Sequence, residues 1–126
     1  MVLTDISDWI NAFTELMNTG LIKNSWAYID LWSVGHVALG LILMYLITRY
    51  EIFKTKKTKQ YALVLLIAIA WEIYEWIFYS RGLFFSVDTK ANIVWDIIFG
   101  VIGAWTYTKG EKTVNKEVEE LEKIKE

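Results

Sequence analysis

Four side chains that avoid hydrocarbon lie inside otherwise apolar stretches of this chain: His36, Glu72, Glu75 and Asp96. One imidazole and three carboxylates offer the nitrogen and oxygen ligands with which proteins bind divalent metals, and Mn, Fe, Zn or Mg can each be argued from such a set. A bound metal ion would keep the carboxylates ionised and could activate a water molecule. The residue types therefore predict a divalent-metal site formed by these four side chains.

The carboxylates also offer acid–base chemistry without a metal. Burial disfavours the charged form of a carboxyl group, and a protonated Glu beside an ionised one can give and take protons. Glu72, Glu75 and Asp96 are therefore the catalytic candidates. Two alternatives stay open at this point: a polar layer that only locks helix packing in a structural or accessory subunit, or a proton- or cation-conducting oligomer.

Three apolar runs carry these residues, at about 31–48, 61–79 and 91–107. Each run is close to the roughly 17–25 residues that a helix needs to cross a bilayer. A charged side chain deep in hydrocarbon costs roughly 2.5–3.5 kcal/mol, so membrane helices keep one only where it is paired, hydrated or used. The sequence predicts an all-α fold, an integral membrane bundle of three transmembrane helices.

A further helix is predicted from Thr4 to Asn18. Its apolar residues recur at helical spacing on one face: Ile6, Trp9, Ile10, Phe13, Leu16 and Met17. The opposite face is acidic, so attraction to anionic lipid does not hold this helix at a surface; we expect it to lie in the membrane interface or to pack on the other helices. We expect an amphipathic interfacial helix in residues 1–20, the transmembrane domain in 21–108 and a charged cytoplasmic tail in 109–126.

Lys and Arg residues set the predicted orientation. Five of them lie between residues 49 and 59, whereas the first thirty residues hold only Lys23. By the positive-inside rule the loop after the first span lies in the cytoplasm. We therefore expect a multi-pass protein of the cell membrane with its N-terminus outside and its C-terminus in the cytoplasm.

This orientation brings the polar residues to one level of the outer leaflet. His36, Glu75 and Asp96 each lie about four or five residues inside the outer end of their helix, some 6–8 Å deep at ~1.5 Å per residue. Glu72 lies one turn deeper. Three more polar residues, at the outer ends of the second and third spans, are predicted to bind the substrate: Arg81, Asp88 and Asn92.

The composition limits the partners of the chain. Its net charge of −2 over 126 residues excludes a generally basic surface for nucleic acid. It contains no Cys, so neither a disulfide framework nor a thiolate ligand is available. The expected partners are membrane lipid and, in a homo-oligomer, further copies of the chain.

Three motifs follow one another along residues 31–107: a His36-containing helix, the segment Trp71–Trp76, and Trp95-Asp96 followed by Gly103-Ala104. In this order they resemble the YjdF-like bacterial and archaeal inner-membrane proteins and, more loosely, the VanZ-like membrane proteins. The resemblance implies an inner-membrane location. VanZ-like proteins are associated with glycopeptide-antibiotic resistance at the cell envelope, which does not define a reaction.

Two positions depart from these families. VanZ-like chains usually have Gln where Glu75 stands, and YjdF-like chains tend to have Asp about where Asn92 stands. The residues and the resemblance together favour a small membrane protein whose polar cluster lies in the outer leaflet. The leading hypothesis is a divalent-metal site that binds or processes a lipid or cell-envelope headgroup.

Overall fold

The computed structural model describes residues 6–24, 26–54, 56–81 and 90–125. Over this part of the chain, four helices and one hairpin of two strands follow one another: α1 (Ile6–Met17), β1 (Gly20–Lys23), β2 (Tyr28–Asp30), α2 (Leu31–Arg49), α3 (Lys57–Ser80) and α4 (Lys90–Lys125). The prediction of a mainly helical protein is confirmed. The prediction of an all-α fold is wrong between residues 20 and 30, where the hairpin lies.

The hairpin is an antiparallel pair in which β1 and β2 are joined by a short turn. The Asn24 side chain closes the turn, since its Oδ1 accepts hydrogen bonds from the backbone N–H groups of Trp26 (3.1 Å) and Ala27 (2.8 Å). Asn commonly mimics a backbone turn in this way, which is why the chain reverses here. The reversal delivers the end of β2 directly to the start of α2.

A capping box begins α2. The backbone N–H of Ser33 donates to Asp30 Oδ1 at 3.0 Å, and the backbone N–H of Asp30 donates to Ser33 Oγ at 3.4 Å. Two orphan donors of the first helical turn are thereby satisfied. The cap fixes both side chains at the N-terminal end of α2, where each is only 1% exposed.

Helices α2 and α4 approach each other through glycines. A Cβ atom on Gly40 would lie 1.8 Å from the backbone oxygen of Gly100, and one on Gly103 would lie 2.0 Å from the backbone oxygen of Val37. Neither position has room for any other residue at this helix separation. Membrane helices commonly pack through small residues in this manner, and the close approach brings one face of α2 against one face of α4.

Helix α3 completes the bundle and runs antiparallel to α4. At one end, the Tyr61 hydroxyl donates to Thr108 Oγ1 at 3.0 Å, and Lys57 Nζ lies 3.2 Å from Glu111 Oε2. The apolar core lies near this end: Met44, Ile47, Val64 and Ala104. The buried His36, Glu72, Asn92 and Asp96 lie in the opposite half of the bundle, next to the hairpin, whereas buried Gln60 and Thr108 lie near the apolar core.

Two described helices, α2 and α3, are long and apolar enough to cross a membrane. The third predicted span lies in α4, which does not pass the same test; Asn92 and Asp96 lower its hydropathy. The 36-residue α4 also runs without a break through residue 108, where the sequence placed the border between membrane domain and tail. The predicted tail is thus the exposed extension of a bundle helix.

Helix α1 runs from Ile6 to Met17, inside the range predicted from Thr4 to Asn18; the first two residues of that range lie outside the described residues. Its second half contacts the start of α2, where the rings of Phe13 and Trp32 meet edge to face with centroids 5.9 Å apart. On the same apolar face Ile10 and Met17 are half-buried, whereas Ile6, Trp9 and Leu16 are exposed.

Candidate metal centre

Three of the four predicted metal ligands meet between three helices. His36 comes from α2, Glu72 from α3 and Asp96 from α4, and their exposed fractions are 5%, 7% and 1%. His36 Nε2 lies 3.8 Å from Glu72 Oε1 and 3.7 Å from Asp96 Oδ2. One ligand atom from each residue lies within 4.8 Å of the other two. Residues up to sixty positions apart thus form one compact set of donors.

Helical periodicity puts each ligand on the buried face of its helix. On α2 the buried positions recur every three or four residues: Ser33, His36, Gly40, Met44 and Ile47. The same spacing holds on α3: Gln60, Val64, Ala68, Glu72 and Glu75. On α4, Asn92, Asp96 and Gly100 are buried at intervals of four. The apolar residues between these positions face outward, so the polar groups turn toward the bundle axis.

The spacing of the three ligands suits a central ion. A direct hydrogen bond between an imidazole and a carboxylate closes to roughly 2.7–3.2 Å. The distances from His36 Nε2 to the Asp96 and Glu72 carboxylates, 3.7 and 3.8 Å, are longer than that. Donors around a tetrahedral metal at ~2.1 Å are about 3.4 Å apart. The two His36 separations therefore need only a few tenths of an ångström of contraction to coordinate one ion, and the whole set already lies within 4.8 Å.

Asp96 is oriented by a hydrogen bond from Ser33. The Ser33 hydroxyl donates to Asp96 Oδ1 at 2.7 Å, and the other carboxylate oxygen, Oδ2, faces His36. Asp30 Oδ1 lies 3.3 Å from the same hydroxyl and also accepts the Ser33 backbone N–H. Outer partners of this kind fix the direction of a metal-binding carboxylate and adjust its basicity.

Glu75 does not belong to this group of ligand atoms among the described residues. Its side chain is buried, at 8% exposure, and its Oε1 accepts a hydrogen bond of 2.6 Å from the indole N–H of Trp71. Glu75 lies three residues after Glu72, about 60° around α3 and about 4.5 Å nearer the hairpin end, where its carboxylate bonds to the indole. The structure thus brings three of the four predicted ligands together and gives Glu75 an indole partner.

The three predicted substrate-binding residues have different positions. Arg81 follows α3 as its C-terminal cap and is exposed. Asn92 is 1% exposed and lies one turn before Asp96 on the same buried face of α4. Asp88 lies outside the described residues. Only Arg81 is therefore a described residue with its side chain on the surface.

Two residues of the site were missed from sequence, Asp30 and Ser33. Both are 1% exposed, and together they connect the hairpin to Asp96. A signal was present: Asp and Ser three residues apart, immediately before an apolar run, form the pattern of a helix N-cap. A second missed contact is the indole N–H of Trp95, which donates to the backbone oxygen of Trp26 at 3.0 Å.

The three-ligand geometry has to be interpreted without a relative. The resemblance to YjdF-like and VanZ-like proteins stays a prediction. No protein-family model, no curated protein and no solved structure matches this chain.

Proposed function

We propose that this chain is an integral membrane protein that holds a divalent metal ion between His36, Glu72 and Asp96. In this proposal it binds or processes the headgroup of a membrane lipid or another component of the cell envelope. The proposal rests on one observation: three ligand atoms, from buried residues on three helices, lie within 4.8 Å of one another.

The exposure of the apolar helices supports a membrane location. Only 28% of the apolar window of α2 and 22% of that of α3 are buried inside the protein, whereas the core helix of a soluble domain is mostly buried. Large apolar side chains cover the outside of the bundle, with Leu66 at 66% and Val94 at 55% exposure. A soluble monomer rarely exposes so much contiguous apolar surface, because water disfavours it.

The packing of α4 supports a third crossing by its first part. Residues 91–108 lie against α2 through the glycine contacts and against α3 through the Tyr61–Thr108 hydrogen bond. If α2 and α3 cross the bilayer, this stretch lies at the same depth. We propose three spans, with α1 in the outer interface, the basic segment between α2 and α3 in the cytoplasm and the metal centre in the outer leaflet.

The donor set narrows the choice of metal. Imidazole nitrogen suits Zn, Fe and Mn better than Mg, which prefers oxygen ligands and keeps several waters. Three protein ligands leave at least one coordination position open, as in catalytic rather than structural zinc sites. A water molecule or a substrate oxygen can take that position, where the metal would act as a Lewis acid.

A second candidate is a structural subunit whose polar layer locks the helices. The bonds that favour it are Ser33 to Asp96 and Trp71 to Glu75, because each holds a buried carboxylate within the protein. A locking layer would need no metal. It would tolerate replacement of a carboxylate by an amide of the same shape.

A matched pair of substitutions on α3 separates these two functions. The full chain is purified in mild detergent, metal is removed, and the affinity for Zn²⁺ or Mn²⁺ is measured by titration. Glu72→Gln removes a ligand, so we expect the affinity to fall by about 100-fold or more, whereas Glu75→Gln, outside the ligand group, should change it by less than about threefold.

The result that contradicts the metal site is equally clear. If wild-type protein binds neither ion, or if the two variants lose affinity equally, the three-ligand centre is wrong. Thermal unfolding with and without the ion gives an independent reading, since an ion that binds only the folded state raises the melting temperature.

A further inference from the structure

An open groove of about 250 Å³ lies between α3 and α4, directly beside the metal centre. Glu72 lines it without exposing a polar atom to it, and every other lining residue is apolar: Ile69, Ile73, Trp76, Ile93 and Ile97. The groove therefore lies beside the cluster that Glu72 forms with His36 and Asp96. A ligand in the groove would touch apolar walls next to the proposed centre.

The two ends of the groove along the helix axis differ in their surroundings. Ile69 and Trp76 mark its two ends on α3, seven residues or about 10 Å apart, with Glu72 near the middle. Trp76 lies toward the hairpin end of the bundle, where an indole suits the membrane interface, and Ile69 lies toward the apolar core. An amphiphile would therefore lie with its polar end toward Trp76 and its chain toward Ile69.

Positive charge stands at the Trp76 end. Because α3 and α4 are antiparallel, Arg81 after α3 and Lys90 at the start of α4 lie at the same end of the bundle. Both side chains are exposed. Neither takes part in an ion pair between described residues. Arg and Lys stems can extend toward a phosphate at the membrane surface.

We infer that this groove is a lateral binding site for an anionic phospholipid, with the phosphate between Arg81 and Lys90 and one chain along Ile97 and Ile69. Arg81 is nine residues from Glu72, about 13 Å along the helix, so a phosphate near Arg81 cannot also reach the metal. The oxygen atoms that link the headgroup to the chain would then lie nearer the level of Trp76 than that of Glu72. The inference rests on the proposed membrane location and adds a lipid-binding surface beside the proposed centre.

Native mass spectrometry tests whether the groove binds an anionic phospholipid. The full-length protein is delipidated and titrated with phosphatidylglycerol or phosphatidylcholine. We expect one phosphatidylglycerol per chain, bound about tenfold more tightly than phosphatidylcholine. Ile97→Trp fills the groove and should weaken binding roughly tenfold by removing apolar contact from a few methylenes. Val94→Trp is the matched control, since it adds an indole to an exposed position of α4 outside the groove. Where Ile97→Trp fails to fold, Ile73→Trp takes its place.

The contribution of the two positive charges is tested with the double variant Arg81→Gln with Lys90→Gln. This variant should bind phosphatidylglycerol and phosphatidylcholine equally. Glycerol phosphate in solution should neither bind nor compete, because it lacks a chain. The inference is overturned if Val94→Trp weakens binding as much as Ile97→Trp, if phosphatidylcholine binds equally well to wild type, or if glycerol phosphate competes. All titrations are repeated in EDTA and with His36→Ala; lipid binding without metal binding would contradict the proposed centre and leave the groove intact.

Discussion

Replacing Gly40 by Ala should separate α2 from α4 and dismantle the metal centre. The added Cβ would lie 1.8 Å from the backbone oxygen of Gly100, and ordinary contact begins at 3.4 Å. Both contacting atoms are backbone, so no side-chain rotation can relieve the overlap. The two helices must therefore move apart locally by about 1.6 Å, the difference between those two distances.

This movement acts one turn from the site. If it passes undiminished along α2, the 3.7 Å between His36 Nε2 and Asp96 Oδ2 grows to roughly 5.3 Å. The ligand atoms would then be farther apart than the 4.8 Å that now contains them. Overpacking of this kind costs about 1–3 kcal/mol, occasionally more. We expect lower thermal stability and a metal affinity reduced at least as much as by loss of one ligand.

Gly100→Ala is the control, because its Cβ would meet Ala68 Cβ and the backbone oxygen of His36 at 3.8 Å, an ordinary contact. Ala is favoured over Gly in a helix interior by up to about 1 kcal/mol, so this variant should be as stable as wild type or more so. Unfolding in detergent and Zn²⁺ titration measure both effects. Equal stability and equal metal affinity for Gly40→Ala and wild type would refute the glycine-mediated packing.

Three further outcomes are expected. Ser33→Ala should weaken metal binding roughly 10–100-fold by freeing Asp96 to rotate, whereas Ser33→Thr, which keeps the hydroxyl, should retain most of the affinity. If Ser33→Ala binds the metal as tightly as wild type, the hydroxyl does not position Asp96. Trp9→Asp should release α1 from the membrane surface and increase its cleavage by protease, whereas Asn11→Asp should not, and equal cleavage of the two would argue against an interfacial helix. A single Cys at Lys57, in a chain that has none, should resist an impermeant reagent in intact cells; rapid labelling would reverse the predicted topology.

The polar cluster was predictable because a helix repeats every 3.6 residues. His36, Glu72 and Asp96 each stand in phase with small or polar residues on one face, so the sequence already indicated that all three point inward. Counting residues from the helix ends, however, placed Glu75 at the depth of His36 and Asp96 and Glu72 one turn deeper, whereas the structure brings Glu72 to the other two. Periodicity succeeded because the three helices are regular over this stretch.

The choice between Glu72 and Glu75 was beyond such reasoning. Both lie on the buried side of α3, and only the rotation of α3 relative to α2 and α4 decides which one faces His36. The rotation depends on packing between helices that are distant in sequence, and periodicity within one helix carries no information about it. The bond from Trp71 to Glu75 depends on this rotation as well.

The hairpin was missed for a different reason. Strands of four and three residues are too short for their alternation to distinguish them from a loop. The turn signal between them is Asn24, whose side chain accepts the two backbone hydrogen bonds. A border between membrane domain and tail was predicted near residue 108, where apolar residues give way to charged ones, and α4 crosses it without a break. The backbone hydrogen bonds of a helix continue across such a change, so composition alone does not end the helix.

The hairpin nevertheless bears directly on the proposed centre. Asp30, at its end, holds Ser33, and Ser33 donates to Asp96 at 2.7 Å. At its turn, the backbone oxygen of Trp26 accepts the indole N–H of Trp95, the residue before Asp96. Two independent contacts from one short segment therefore converge on a single turn of α4. Since a carboxylate ligand must be held in direction as well as in place, the segment before residue 31 belongs to the site as much as the helices that carry the ligands do.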